Sequence, residues 1–293
     1  MSMTPGFIDR LRSDQASGAT QLALAALSGL YDYLDQQHGI RASELNALVM
    51  TLQDARPSMV PLRNALDRWQ ARVTGLAGHE IHDIPPLLAA LEQVIDDLNK
   101  AGERTAMTAA NLIEPGATVM THSRSSTVMR LFRLLVQDRR PFDVITTLSG
   151  PGNEGVLVAE ELTALGVPTT LITDAQMGLF MPDVDINLCG CDSWLTDGFF
   201  LNKSGTYLQA LAARDQSRPF WVLADSFRDS QADSASVTLE EMPPEAVAGD
   251  LTEGIRARNV YFEPVPVRLV TGRVTEWGLK PGGGQSRPVS VRD

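Results

Sequence analysis

Through the first 112 positions apolar residues recur at intervals of three and four, the spacing of one helix face, and no stretch alternates convincingly as a half-buried strand does. The pattern predicts a short helix over Pro5–Arg12. A second, apolar helix from Gln21 to Gln37 is opened by Ser17-Gly18-Ala19-Thr20 and stopped by Gly39. A third runs through Leu45, Leu48, Val49 and Leu52 and ends near Arg56-Pro57. The period restarts through Met59, Val60, Leu62, Leu66 and Trp69, and again from Pro85-Pro86 through Leu87, Leu91, Val94, Ile95 and Leu98 toward Asn111.

At Glu114-Pro115-Gly116 the period changes. Apolar runs at Ala117–Thr121, Val144–Leu148, Thr169–Thr173, Val184–Cys189 and Phe220–Ala224 read as strands. Helical stretches at Thr127–Gln137, Val156–Leu165 and Tyr207–Arg214 separate them. This alternation predicts an α/β protein with a twisted, mostly parallel sheet covered on both faces. The expected organisation is a helical N-terminal domain, residues 1–112, followed by a sheet domain, residues 113–293. Asp229–Gly249 reads as an acidic surface excursion, Val260–Val270 as the segment closing the core, and Pro281 onward as a loose tail.

Composition narrows the picture. A chain of 293 residues, 43% apolar and 21% charged, has ample material for a core. A net charge of -11 argues against direct nucleic-acid binding, which would need a basic face, but leaves room for a small anion held by a few local cations. No secretory leader or membrane-length apolar run is apparent, so a cytoplasmic protein without a membrane partner is expected. Cys189 and Cys191 share a strand face, but no second pair completes a metal set. Buried thiols, and no metal or cofactor, are the expectation.

Candidate chemistry gathers between Gly190 and Thr206. The strand ending at Cys189 delivers Asp192 to its carboxyl end, and Asp197-Gly198 turns a hairpin between Trp194-Leu195 and Phe199-Phe200-Leu201. Asn202 and Lys203 then precede the helix start at Ser204-Gly205-Thr206. Ligands of open α/β sheets bind outside the carboxyl ends of the strands, so a carboxylate, an amide, an ammonium and a helix N-terminus at one edge read as a site. Trp194, Phe199 and Phe200 either line it or pack the hairpin. The turn His122-Ser123-Arg124-Ser125-Ser126 offers hydroxyls, Arg124 and another helix start, suited to a phosphate or to sugar hydroxyls. Gly18 and Ala19 leave helix N–H groups open to an anion, or form an ordinary close-packed cap. Arg56, at a break between helices, suits an oxyanion or caps the preceding helix. His79 and His82 read as exposed loop residues.

A competing motif is Gly150-Pro151-Gly152-Asn153-Glu154-Gly155, a G-x-G-x-x-G between strand and helix, with Asp174 near the place of a ribose-binding acid. It points to a dinucleotide-binding oxidoreductase. It follows the second strand of the sheet domain, whereas dinucleotide folds carry the motif after the first. A Ser-His-Asp hydrolase fits poorly, because His122 and Ser123 are chain neighbours and the G-x-S-x-G elbow is missing.

Gly190-Cys191-Asp192, Asp197-Gly198 and Asn202-Lys203-Ser204-Gly205-Thr206 resemble the G-A-D…N-G…N-K-x-G-T of a known family. That family unites ribose-1,5-bisphosphate isomerase, methylthioribose-1-phosphate isomerase and the regulatory subunits (alpha, beta, delta) of initiation factor 2B. Arg56-Pro57-Ser58 resembles its R-P-T, and Phe262-Glu263-Pro264-Val265-Pro266 its F-x-x-x-P; the likeness extends from Ser17-Gly18-Ala19 to Trp277-Gly278. The resemblance implies a helical N-terminal domain and a Rossmann-like C-terminal domain. It implies a phosphorylated pentose or nucleotide ligand held between them, and assembly as a homodimer. It places Asp192 at the catalytic acid/base, Asn202 and Lys203 at substrate contacts, and Gly18, Ala19 and Arg56 near the phosphate. The isomerases carry T-H-C where this chain has Thr121-His122-Ser123, and E-T-R-P where it has Leu148-Ser149-Gly150-Pro151. Two functions are therefore expected to compete. One is aldose–ketose isomerisation with Asp192 moving the proton and Ser123 as a weak partner. The other is a non-catalytic sugar-phosphate or nucleotide sensor.

Overall fold

The computed structural model describes residues 5–14, 18–56, 59–73, 80–239, 241–249 and 251–282. Ser17, Pro57, Ser58, His79 and the tail from residue 283 lie outside them. The chain divides into two compact units, Met1–Ala101 with Phe227–Asp229, and Gly102–Ser226 with Ser230–Asp293.

The first unit is built from α1 (Gly6–Ser13), α2 (Ala19–Asp35), α3 (Ala42–Ala55), α4 (Val60–Arg72) and the first part of α5 (Pro85–Ala110). On α2 the residues Leu22, Ala23, Ala26, Leu27, Leu30 and Leu34 fall on one face and are buried with Leu45, Val49 and Leu52 of α3 and Leu62, Leu66 and Trp69 of α4. The Trp69 indole N–H donates to the Leu87 carbonyl at 3.1 Å, so a large ring enters the core with its polar atom satisfied. The periodicity misses one feature. β1 (Ile40–Arg41) pairs antiparallel with β2 (Glu80–Ile81), a ladder too short to show alternation.

In the second unit the parallel strands are β3 (Ala117–Thr121), β4 (Phe142–Thr147), β5 (Thr169–Ile172), β6 (Ile186–Cys189), β9 (Phe220–Leu223) and β11 (Gly272–Thr275). The sheet order is β12-β11-β9-β6-β3-β4-β5, with β12 (Gly278–Pro281) antiparallel at one edge. Successive strand residues feed opposite cores. Val119, Val144 and Leu188 join one apolar cluster with α6 (Ser126–Gln137) and α7 (Glu154–Ala164). Their neighbours Met120, Ile145 and Cys189 join another with α8 (Met177–Phe180) and α9 (Thr206–Asp215). A sheet covered on both faces, as expected, results.

The segment Val260–Val270 closes the core as expected, with Val265, Leu269 and Val270 buried in the apolar cluster that α9 joins, but it does so without entering the main sheet. Its strand β10 (Phe262–Pro266) pairs antiparallel with β8 (Phe199–Lys203), which pairs in turn with β7 (Ser193–Trp194), in a separate three-stranded sheet. Pro264 and Pro266 lack the N–H that a central strand needs. The main sheet is extended instead by β11, where Arg273 is buried because its guanidinium donates to the Ala224 and Asp225 carbonyls at 2.7 and 2.8 Å.

Candidate functional site

In the sheet order, β3 and β6 are neighbours, with the earlier strands β4 and β5 on one side and the later β9 and β11 on the other. Chain direction across the sheet reverses there, the position at which open α/β sheets bind their ligands. The loops after β3 and β6 are the 122–126 turn and the segment carrying Asp192. They approach closely: a Cβ on Gly190 would stand 2.6 Å from Ser125 Oγ.

The 122–126 turn is fixed from beneath by His122, which is buried. Its Nε2 lies 2.8 Å from the Ser204 carbonyl, an acceptor only, so Nε2 carries the proton. Nδ1 then accepts from the Thr147 hydroxyl at 2.6 Å. Burial lowers the His122 pKa, against the Ser204 bond and the Asp174 carboxylate, and the ring is a neutral strut. Ser149 Oγ, 3.1 Å from Thr147 Oγ1, accepts the Ser123 N–H at 2.7 Å and holds Ser123 at φ +61°. Ser125 caps α6 by accepting the Val128 N–H. Arg124 pairs with Glu161 on α7 at 3.1 Å, and Arg133 shares that carboxylate.

The glycine motif has internal causes. Asp174 accepts the N–H groups of Ser149 and Gly150 at 2.8 and 2.7 Å, so the acid placed at a ribose by the dinucleotide reading folds the turn instead. A Cβ on Gly155 would overlap the Thr147 carbonyl, and one on Gly152 the Tyr261 hydroxyl. Close backbone approach explains both glycines.

The hairpin after β6 forms as expected, with Gly198 at φ +83° and Leu195 N–H donating to the Phe199 carbonyl at 2.9 Å. Trp194 and Phe200 stack across it at 5.7 Å, which makes them hairpin packing. The Asp192 N–H donates to the Leu201 carbonyl at 2.9 Å, fastening Asp192 to β8. Asn202 is buried and donates to Thr206 Oγ1 at 2.9 Å, which steadies the start of α9.

Lys203 ends β8 with its side chain only 2% exposed. Its ammonium reaches both carboxylate oxygens of Glu154 at 2.9 and 3.0 Å and lies 3.4 Å from the centre of the Tyr261 ring. The Tyr261 hydroxyl donates to the same Glu154 carboxylate. Burial lowers the Lys203 pKa, opposed first by Glu154 and then by Asp174 and Asp192; burial and Glu154 together raise that of Tyr261. The helix start at Ser204-Gly205-Thr206 is not open to a ligand. Glu263 accepts the Gly205 and Tyr207 N–H groups at 2.7 and 2.8 Å and fills it, although burial raises the Glu263 pKa.

Gly18, Ala19 and Arg56 belong to the first unit. Gly18 opens α2, donates to Gln21 Oε1 at 3.3 Å, and a Cβ there would meet nothing within 4 Å, so no close packing among the described residues requires glycine. Arg56 follows α3 and donates to the carbonyls of Leu11, at 3.1 Å, and Asp14. It secures the end of α1, not of the helix before it. His82 is exposed, as expected.

The profile of the initiation factor 2 subunit family matches residues 15–282. The chain belongs to that family. A Pyrococcus abyssi protein named as translation initiation factor eIF-2B subunit 2-like is 32% identical over 277 residues, covering 93% of this chain and 94% of its own. The ribose 1,5-bisphosphate isomerase of Methanocaldococcus jannaschii is 28% identical over 284 residues, 94% of this chain and 91% of its own. The crystal structure of the Pyrococcus horikoshii OT3 translation initiation factor eIF-2B superposes with a TM-score of 0.81 at 29% identity, covering 95% and 97% of the two chains. Among the described residues no helix is long and apolar enough to cross a membrane.

Set beside the family's motifs, this edge carries groups that sequence reading passes over. Glu154 is hidden inside the glycine motif, and Tyr261 stands just outside Phe262–Pro266. The one available signal is Lys203 itself, since a lysine in a buried strand needs a carboxylate nearby. Neither cysteine supplies the thiol absent at Ser123, because Cys189 and Cys191 are packed in the apolar cluster and burial raises the Cys189 pKa.

Proposed function

We propose that this protein binds a phosphorylated pentose or a similar sugar phosphate, and that any reaction it performs is aldose–ketose isomerisation. The observation that carries this reading is the meeting of the 122–126 turn, Asp192 and the Asn202-Lys203 segment at the β3–β6 reversal. The family membership and the isomerase among the relatives support it. The Asp192 carboxylate takes a proton from the hydroxyl-bearing carbon while a donor protonates the neighbouring carbonyl oxygen. The enediol so formed collapses in the opposite sense to give the isomer.

Ser123 stands where a donor is needed. A serine hydroxyl is a far weaker acid than a thiol, whose pKa is about 8.5, so turnover is slow and ligand binding persists. That weakness favours a second reading, a sugar-phosphate or nucleotide sensor whose occupancy is read by a partner. A homodimer is part of the proposal, and sedimentation velocity tests it. The binding reading is tested by thermal unfolding with pentose phosphates, nucleotides and nicotinamide dinucleotides. A ligand bound only by the folded state adds about 2.7 kcal/mol at a hundredfold excess over Kd. Stabilisation by a pentose phosphate is expected. Stabilisation by a dinucleotide alone would overturn the proposal.

A further inference from the structure

Resting on the sugar-phosphate reading, we infer that the ligand carries at most one phosphate, and that Glu154 enforces this by holding the Lys203 ammonium. The 122–126 turn and the 202–206 segment bring two cations, Arg124 and Lys203, to this edge. Each already has a carboxylate. Arg124 pairs with Glu161, and Lys203 is gripped by both oxygens of Glu154. The Asp174 and Asp192 carboxylates also favour the charged form of Lys203, less than Glu154 does. Glu161 additionally serves Arg133. Among these groups Lys203, Arg124 and Arg133 stand against Glu154, Asp174, Asp192 and Glu161. Glu263 at the 204–206 helix start is a further carboxylate, so acids outnumber bases.

A phosphate arriving here would have to displace Glu154 from Lys203. Three features resist that. The grip is two-pronged, the Tyr261 hydroxyl donates to the same carboxylate, and Glu154 lies in the first turn of α7, where the helix dipole favours an anion. Gly152 leaves room for the Tyr261 hydroxyl, which keeps this arrangement in place. Hydroxyl and carbonyl oxygens of a sugar face no such penalty, since they need hydrogen bonds and no counter-charge. Glu154 is thus a specificity-determining residue, rejecting the second charge as much as any contact accepts the sugar.

Calorimetric titration of the full chain with ribose 5-phosphate, ribose 1-phosphate and ribose 1,5-bisphosphate at fixed ionic strength tests this. At least one monophosphate is expected to bind about tenfold more tightly than the bisphosphate, and added salt to narrow the gap. Glu154→Gln, with folding checked by circular dichroism, is expected to shift the preference toward the bisphosphate by about tenfold. Tighter binding of the bisphosphate by the wild-type chain overturns the inference while leaving the sugar-phosphate reading intact. So does a preference that Glu154→Gln leaves unchanged. If Glu154→Gln does not fold, the wild-type order and its salt dependence decide. Binding of none of the three sugars removes the underlying reading, and the inference with it.

Discussion

Replacing His122 by Phe tests whether the site is held from beneath by a neutral imidazole. The phenyl ring fills similar space but removes a donor to the Ser204 carbonyl and an acceptor for the Thr147 hydroxyl, bonds of 2.8 and 2.6 Å. Thr147 is fully buried and the Ser204 bond partly so. Leaving such a group unpaired costs about 1–3 kcal/mol, so the pair predicts a loss of about 2–6 kcal/mol. The loss also depends on pH in a defined sense. The His122 pKa is lowered by burial from an ordinary 6.5, so the unfolded chain takes up a proton that the folded chain refuses. The stability that neutral His122 contributes is complete above 6.5 and declines as pH falls from there toward the folded-state value, by at most about 1.4 kcal/mol per pH unit. The cost of His122→Phe should therefore be largest near neutrality and shrink in acid. Urea unfolding of both proteins at pH values on either side of 6.5, followed by the fluorescence of Trp194, Trp221 and Trp277, measures this. A cost below about 0.5 kcal/mol, or one independent of pH, would refute the strut.

Gly155→Ala drives a methyl into the Thr147 carbonyl and should destabilise the second unit by about 3 kcal/mol with or without any nucleotide; a neutral result in thermal melts would remove the packing account of the glycine motif. Arg56→Ala should lower the stability of the first unit by about 1–3 kcal/mol, since two carbonyls at the end of α1 lose their donor. It should weaken phosphorylated and dephosphorylated ligands alike, and a loss confined to the phosphorylated form would make Arg56 a phosphate contact after all. Ser123→Cys should raise turnover of a pentose phosphate, and adding Asp192→Asn should erase the gain. Vigorous wild-type turnover that survives Asp192→Asn would falsify the proposed chemistry.

The fold is readable wherever burial alone selects the residues. Ala117–Thr121 is a strand with the limits its pattern suggests, and Phe142–Thr147, Thr169–Ile172, Ile186–Cys189 and Phe220–Leu223 lie within two residues of theirs. The inner strands among them present apolar groups to both faces of a covered sheet, which leaves an apolar run, whereas β5 at the edge buries only Ile172 fully. The exception is β11. Arg273 interrupts its run, and nothing local reveals that two distant carbonyls, Ala224 and Asp225, receive the guanidinium. Val260–Val270 is readable as core because Val265, Leu269 and Val270 are buried. Its prolines confine its strand to pairing with β8 in the smaller sheet.

The candidate site divides along the same line. That Asp192, Asn202 and Lys203 lie near one another is readable because one short stretch holds them all past the end of one strand. Glu154 is not, because its partners Lys203 and Tyr261 are 49 and 107 positions away. The glycine motif shows why local pattern is a poor guide there. Dinucleotide folds use glycine for a tight turn and for close helix–strand packing, and the latter demand arises here at Gly155 from Thr147, without any ligand. A pattern reports the backbone it permits, and the charged groups that face that backbone decide what binds. In this chain Asp174 is spent on the turn and Glu154 on Lys203. The same segment that looks like a nucleotide loop thus has its acids engaged with groups of the protein itself.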